Sequence, residues 1–253
     1  MSWDWQVFCK DTLEGTLTPS CWASGRDTTY LQWMIHAWGW TLSVAGVAWV
    51  IAVLVGVLIG IMRTLPNSPV AARFAMGWVE LFRNVPILVQ LFLWYFVVPK
   101  AFPPMQAVPG FLLVVFALGF FTSARIAEQV RAGVQALPRG QRYAALAMGF
   151  TTAQAYRYVI MPMAFRIILP PLTSESMNLL KNSSVAFAVS IAELTTFAMQ
   201  AQEETSRGIE IYLAVTALYA LSAFAVNRVF ALIERRVQIP GFIVAGGTGG
   251  GGH

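Results

Sequence analysis

RGQRYAALAMGFTTAQAYRYVIMP, residues Arg139 to Pro162, is the one polar passage long enough to fold by itself between two strongly apolar stretches. The pattern predicts two short helices. Gly149 is the residue best able to take the left-handed conformation that ends a helix. Thr151 and Gln154 have the spacing of a capping box, so we expect the second helix to begin there. Pro162 is expected to close the unit and to start a new helix behind it.

The surrounding composition is that of a polytopic membrane protein. Of 253 residues, 57% are hydrophobic and 11% are charged, against about 25% charged in a soluble domain. The run from Thr28 to Met62 carries no formal charge and is far longer than the ~20 residues that cross a bilayer as a helix. The net charge of +5 does not indicate nucleic acid, because positive-inside bias already places arginines near cytoplasmic helix ends.

Hydropathy predicts an all-α fold with five transmembrane helices. The spans are expected at about 36–62, 74–98, from 110 through 131, 164–191 and 211–233. In the second span, Glu80 and Arg83 are i,i+3 neighbours that can partly neutralise each other, and Pro86 removes a backbone hydrogen bond one turn later. Pro170 and Pro171 are expected to interrupt the fourth span.

Charge bias in the loops predicts that the N-terminus lies outside and the C-terminus inside. Residues 1–35 and 193–210 are acidic and are placed outside. The loop that holds Arg63 and Arg73, the 139–162 segment and the pair Arg235 and Arg236 are placed inside. No cleavable signal is expected, because the first 30 residues include Asp4 and Lys10 and lack an apolar core. Residues 237–253 form a tail, in which GGTGGGGH at 246–253 is typical of a linker or tag remnant.

Two cysteines, Cys9 and Cys21, lie in the N-terminal segment with Gly15 and Pro19 between them. In an oxidising periplasm they can close and stiffen a loop. Two unpaired thiols remain the alternative.

The 139–162 segment resembles the EAA loop of bacterial ABC importer permeases. That motif reads Glu-Ala-Ala, three residues, Gly, nine residues, Ile, one residue, Leu-Pro. Ala144, Ala145, Gly149 and Pro162 fall on it in register, while Tyr143 stands in place of the Glu. Loss of the Glu removes any salt link made through it.

Two further stretches, ELFRNVPILVQ at 80–90 and AEQVRAGVQALPRGQRYAALAMG at 127–149, resemble polar amino-acid uptake permeases of the glutamate/aspartate type. The resemblance covers about residues 30–240. It implies a type I ABC importer permease of the inner membrane, with residues 36–236 as the permease domain.

The resemblance also implies partners: a dimer of ABC ATPase subunits, a second permease chain (a different homologous one is expected, and a second copy is the alternative), a periplasmic binding protein, membrane lipid and an amino acid as cargo. This chain would bind no cofactor, since ATP and Mg act on the ATPase. When the ATPase subunits close, the following residues would transmit the movement to the membrane helices as a rigid-body rotation: Arg142, Tyr143, Ala144, Ala145, Gly149, Phe150, Arg157 and Pro162.

Catalytic and metal sites are not expected. The three lysines, Lys10, Lys100 and Lys181, do not follow a GxxxxG spacing. Of the two histidines, one is His253 in the tail, so no metal cluster is predicted.

Arg125 is the most informative charge within a span, about 22 Å along its helix at 1.5 Å per residue. Ionisable groups at such depth are functional candidates by default. The resembling family commonly has Tyr here, in SAY-x-AE, where this chain reads SARIAE. A guanidinium fork suits a substrate carboxylate. The alternative is that Arg125 only balances Glu128 at i,i+3.

The fourth span offers a second polar group. Glu175, Asn178 and Asn182 follow i, i+3, i+7 spacing and share one helical face. Glu175 can hold a substrate ammonium group. Basic-amino-acid members of the family tend to have Asp in place of Asn182, so a neutral amide would favour an anionic substrate. A polar stripe at the interface between two permeases is the equal alternative.

Two other functions remain open from the sequence. The same machine can carry neutral polar amino acids such as glutamine or asparagine. An ion-coupled secondary transporter has less support, because no inverted repeat is visible in five spans.

Overall fold

The computed structural model describes residues 3–22, 25, 28–66 and 68–237. Among these residues there is no strand, only two isolated bridges, so the predicted all-α class is confirmed. The ten helices are α1 Tyr30–Thr64, α2 Pro69–Asn84, α3 Ile87–Phe92, α4 Val98–Ala101, α5 Gly110–Gln135, α6 Arg139–Ala147, α7 Thr152–Ala155, α8 Met161–Asn182, α9 Leu194–Thr205 and α10 Gly208–Val237.

Three helices, α1, α5 and α10, are long and apolar enough to cross a membrane. Two bent pairs also qualify, Pro69–Asn84 with Ile87–Ala101 and Thr152–Val189 with Leu194–Thr205. When each bent pair is counted as one span, this described part of the chain has the five predicted spans.

Helix α1 begins six residues earlier than the predicted span because Thr29 and Gln32 form a capping box. The Thr29 hydroxyl accepts from the Gln32 N–H at 3.3 Å, and the Gln32 side chain accepts from the Thr29 N–H at 3.2 Å. Two otherwise free backbone donors are thereby satisfied. The predicted boundary at residue 35 therefore falls inside α1.

The predicted second span is divided into two helices at Pro86, where the sequence predicts a break in the backbone hydrogen bonds. The chain bends by 106° between Pro69–Asn84 and Ile87–Ala101. Val85 is extended, with φ −94 and ψ 130, which is the conformation favoured before a proline. The Gln90 side chain donates to the carbonyl oxygens of Phe82 and Val85, each at 2.9 Å. These bonds satisfy carbonyls that the corner leaves without helical partners.

Two π-turns, Leu93–Val97 and Tyr156–Ile160, precede prolines at the same distance. The N–H of Val98 donates to the Leu93 oxygen, one residue before Pro99. The N–H of Met161 donates to the Tyr156 oxygen, one residue before Pro162. Each turn shifts the hydrogen-bond register ahead of the residue that cannot donate.

The helical run therefore continues from Thr152 through Pro162 to Val189. The prediction that Pro162 ends the 139–162 segment and that a new helix begins behind it is therefore wrong. Pro170 and Pro171 likewise lie inside α8 and do not interrupt it.

Helices α1 and α5 approach closely in the centre of the bundle. A Cβ at Gly56 would lie 2.7 Å from the Ile126 Cβ, and one at Gly60 would lie 2.5 Å from the Val130 Cβ. Small residues one turn apart let membrane helices come together at this distance. Ile126 and Val130 are both completely buried, and α5 forms the core against which α1, α2, α3 and α8 pack.

The segment before α1, residues 3–22, is here named the N-terminal cap. Its residues Val7 and Phe8 are buried against Tyr30 of α1, Phe197 of α9 and Ile211 of α10. The cap therefore covers one end of the helix bundle with apolar side chains from its own chain.

Polar contacts and a disulfide hold the cap in place. The Asp4 N–H donates to Glu210 at 2.9 Å, and the Asp4 carboxylate lies 3.6 Å from Arg207. Cys9 and Cys21 form a disulfide with their Cα atoms 4.1 Å apart. At the other terminus, the predicted tail 237–253 lies outside the described residues except for Val237.

Candidate functional site

Arg125 of α5 faces Glu175 of α8. Its Nη1 lies 3.8 Å from the Glu175 Oε2, and its guanidinium lies 4.9 Å from the centre of the Phe121 ring. The Arg125 side chain is 41% exposed, whereas that of Glu175 is 13% exposed. The contact is long for a hydrogen bond, so most of the guanidinium's donors remain open to a ligand.

Glu128 does not pair with Arg125, so that alternative is wrong. Its carboxylate is bonded to Arg63 of α1, and it accepts from Arg131 at 2.9 Å. Arg83 of α2 lies 3.6 Å away, although the sequence pairs it with Glu80. One carboxylate therefore binds three helices together, and Arg125 remains available to another partner.

Packing between α5 and α8 brings Arg125 and Glu175 together. Gly133 of α5 contacts Ile168 of α8 so closely that a Cβ would clash with the Ile168 side chain. Ile168, Leu172 and Ile126 share one buried cluster. Since α8 is seated against α5 along this line, the polar residues that follow Leu172 reach the level of Arg125.

Glu175, Asn178 and Asn182 all lie on α8 at the predicted spacing, and each is half-buried. Lys181 is exposed. The structure brings Arg125 and Glu175 into contact. Asn178 and Asn182 continue the same helical face toward the end of α8.

The coupling segment, residues 139–162, lies at the opposite end of the bundle from the N-terminal cap. Helix α6 ends in a Schellman motif. Gly149 has φ +89, its N–H donates to the Leu146 oxygen at 3.0 Å, and the Phe150 N–H donates to the Ala145 oxygen at 3.2 Å. The capping box of Thr151 and Gln154 is present. Both sequence predictions of helix ends are confirmed.

The predicted coupling residues divide between surface and interior. Tyr143 is 62% exposed. Two residues outside the predicted set, Met148 and Tyr158, are 80% and 62% exposed, and the Tyr158 ring lies 6.5 Å from the Phe150 ring. Arg142 is half-buried and Ala145 is only 6% exposed. Ala145 therefore contributes to packing of α6 and does not offer a contact surface. The exposed predicted residues are Tyr143, Ala144, Gly149, Phe150, Arg157 and Pro162.

Tyr156 attaches the coupling segment to the bundle, a role that the sequence reading missed. Its hydroxyl donates to the Thr64 carbonyl at the end of α1, and its side chain is buried. An aromatic hydroxyl at a helix end is the only signal that the sequence gives for this contact. Ala155 and Ile160 are buried on the same side.

Glu193 is a second missed residue. It is completely buried at the N-cap of α9. Its carboxylate accepts from the N–H groups of Thr195 and Thr196 and from the Tyr219 hydroxyl, each at 2.9 Å. The sequence signal was an acid just before an apolar helix, a common N-cap pattern.

The structure is a bundle of apolar helices with a polar contact between α5 and α8 and an exposed helix–turn–helix at one end, an arrangement typical of a membrane protein. Residues 52–239 match the family described as "Binding-protein-dependent transport system inner membrane component". The chain belongs to this family: it is a multi-pass inner-membrane permease subunit of an ABC transporter.

Relatives and solved structures agree with this assignment. The glutamate/aspartate import permease protein GltJ of Escherichia coli (strain K12) is 40% identical over 255 residues, covering 95% of this chain and 97% of the relative. The glutamine transport system permease protein GlnP of Escherichia coli (strain K12) is 32% identical over 198 residues, covering 78% and 89%. A solved amino acid ABC transporter "with histidines" matches at a TM-score of 0.71 and 35% identity, covering 82% of this chain and 95% of that chain.

Membership implies the general set of partners: an ATPase subunit, a partner permease and a substrate-binding protein. Nucleotide chemistry belongs to the ATPase, and the permease is not the enzyme. Membership in this family also argues against the alternative that the chain is an ion-coupled secondary transporter. Within the described residues, no group of His, Cys, Asp and Glu could hold a metal ion.

Proposed function

We propose that this permease subunit of an amino-acid ABC importer carries glutamate and aspartate inward from a periplasmic binding protein. The observation that carries the proposal is Arg125, a membrane-embedded guanidinium with exposed donors, set 3.8 Å from a single carboxylate on a neighbouring helix. The similarity to GltJ points to the same cargo.

Opposite charges at this distance match the two ends of an amino acid. Arg125 offers a planar fork to a carboxylate, and Glu175 offers an acceptor to the ammonium group. Asn178 and Asn182 add hydrogen-bonding groups without negative charge. A second substrate carboxylate then meets no repulsion from them, which discriminates in favour of an acidic amino acid.

Neutral polar amino acids such as glutamine or asparagine are the second candidate. The similarity to GlnP supports it. The Arg125–Glu175 contact supports it as well. Because Glu175 partly neutralises Arg125, the site also suits an amino acid whose side chain is uncharged.

Uptake into vesicles that hold the complete complex tests the substrate. We expect Arg125→Tyr to lower glutamate uptake roughly 10- to 100-fold, the loss of one hydrogen-bonded charge pair. Arg125→Lys keeps the charge but loses the fork, and we expect an intermediate loss. Unchanged glutamate uptake and preference in Arg125→Tyr would contradict the proposal. Strong competition of labelled glutamate by excess glutamine would favour the second candidate.

Coupling to ATP is assigned to the exposed face of the 139–162 segment. Tyr143, Met148, Phe150 and Tyr158 expose apolar surface there, with Arg157 5.7 Å from the centre of the Tyr158 ring. Aromatic residues and arginine are enriched where proteins dock. The partner is a dimer of ATPase subunits on which ATP and Mg act, paired with a second, homologous permease chain.

The proposed orientation places this face in the cytoplasm and the N-terminal cap in the periplasm. Arg63, Arg235 and Arg236 lie at the last turns of α1 and α10. Asp4, Glu204 and Glu210 lie at the cap end. This separation of charge is the positive-inside pattern.

A further inference from the structure

A cavity of about 550 Å³ lies between the coupling segment and the ends of α1 and α5. Its walls include Arg63 and Thr64 from α1, Leu137 and Arg139 from the turn into α6, and Tyr156 from the π-turn. The Tyr156–Thr64 hydrogen bond lies in its wall and joins the two sides.

Basic side chains surround this cavity without a lining carboxylate. Arg63, Arg139 and Arg142 are lining residues, and no Asp or Glu is among them. Glu128 neutralises Arg63 from outside the cavity. Arg139 is exposed and Arg142 is half-buried. The lining therefore carries an excess of positive charge, which favours an anionic occupant.

Two polar atoms in the cavity wall are buried and unsatisfied. The Arg142 Nε and the Gln141 Oε1 have no hydrogen-bond partner among the described residues. A buried donor or acceptor without a partner is costly, so protein groups alone do not satisfy this wall of the cavity. Arg139 and Arg142 line the cavity, so a phosphate oxygen inside it can accept from their guanidinium groups.

Two further features fit an amphiphilic ligand. Helix α6 begins at this cavity behind Pro138, and no side chain caps its first N–H groups, which favours negative charge there. Val134, Leu137 and Ile160 form the apolar part of the wall. A headgroup joined to hydrocarbon meets both kinds of surface.

We infer that this cavity binds the headgroup of an anionic phospholipid such as phosphatidylglycerol. Basic pockets between membrane helices near the cytoplasmic surface suit such headgroups. The bound lipid would link the start of α6 to the end of α1. The inference concerns lipid and is independent of the cargo proposed above.

Native mass spectrometry of the purified complex, titrated with phosphatidylglycerol or phosphatidylcholine, tests the site. We expect the unmodified complex to prefer phosphatidylglycerol. Arg139→Gln should weaken that binding about five-fold, and Arg139→Gln with Arg142→Gln roughly twenty-fold, at about 1 kcal/mol per basic residue. Binding of phosphatidylcholine should not change.

Arg236→Gln is the matched control, because it removes the same charge from an exposed position of α10 outside the cavity. Arg139 is itself exposed, so its single variant remains informative if the double variant does not assemble. Equal binding of both lipids, or equal loss in Arg139→Gln and Arg236→Gln, would overturn the inference. Displacement of phosphatidylglycerol by millimolar inorganic phosphate would assign the site to a soluble anion and would also overturn it.

Discussion

The two ends of the helix bundle differ in how their apolar surface is covered. At the N-terminal cap, the chain covers its own apolar surface with Val7 and Phe8. At the coupling segment, Tyr143 and Met148 remain exposed, and a basic cavity lies beneath them. The first end packs Val7 and Phe8 against its own chain, although Leu13, Leu17 and Trp22 on the surface of the cap stay exposed. At the second end, Tyr143 and Met148 are exposed on the segment that we propose docks the ATPase.

The largest expected effect is on the cap. Replacing Cys9 and Cys21 together by Ser should destabilise it by about 2–4 kcal/mol, because the disulfide restricts the unfolded loop. Hydrogen exchange of residues 3–22 should rise sharply, while binding of the ATPase stays the same. Loss of ATPase binding in this variant would show that the two ends are not independent.

The next effect concerns the turn between the coupling helices. Gly149→Val places a β-branched residue at φ +89, a strain of about 1–3 kcal/mol. We expect ATP-driven uptake to fall roughly 10- to 100-fold. Gly149→Asn is the matched control, since Asn tolerates left-handed backbone. Equal transport and ATP hydrolysis in both variants would contradict a role for this turn.

Glu193→Leu should lower the thermal stability of the complex by about 1–2 kcal/mol. The variant removes a buried helix cap and the carboxylate that accepts from the Tyr219 hydroxyl. Glu193→Gln keeps one acceptor oxygen and should cost less. If both variants unfold at the same temperature as the unmodified protein, Glu193 does not stabilise the helix bundle.

The smallest effect is expected for Asp4→Asn. Its carboxylate lies 3.3 Å from Lys10 and 3.6 Å from Arg207, but such partly exposed pairs contribute less than about 1 kcal/mol. Raised salt should reduce the difference between variant and unmodified protein. A larger change in thermal unfolding would mean that this contact anchors the cap by itself.

Local signals predicted the coupling segment well. Gly149 ends α6 and Thr151 caps α7. Both helix ends can be predicted because they depend on backbone groups only a few residues away. The same T-x-x-Q pattern at Thr29 and Gln32 sets the start of α1, six residues before the start that hydropathy predicts. Hydropathy located the five spans because length and apolarity decide them.

Tertiary features escaped the sequence reading. Pro162 does not end a helix, because a π-turn absorbs the missing N–H, while Pro86 does bend the chain sharply. Residue type alone cannot distinguish these two outcomes. Arg125 pairs with Glu175 across helices, since Arg63 from another helix already binds Glu128. Spacing along one helix cannot predict this competition.

Labelling of single cysteines tests the contrast between the two ends most directly. Leu13→Cys lies on the cap, where Leu13 is 93% exposed, and Tyr143→Cys lies on the coupling segment, where Tyr143 is 62% exposed. An impermeant thiol reagent should label Leu13→Cys from the periplasm whether or not the ATPase is present. It should label Tyr143→Cys only from the cytoplasm, and the ATPase should block it. Labelling of Tyr143→Cys from the periplasm, or labelling that the ATPase does not reduce, would contradict the account.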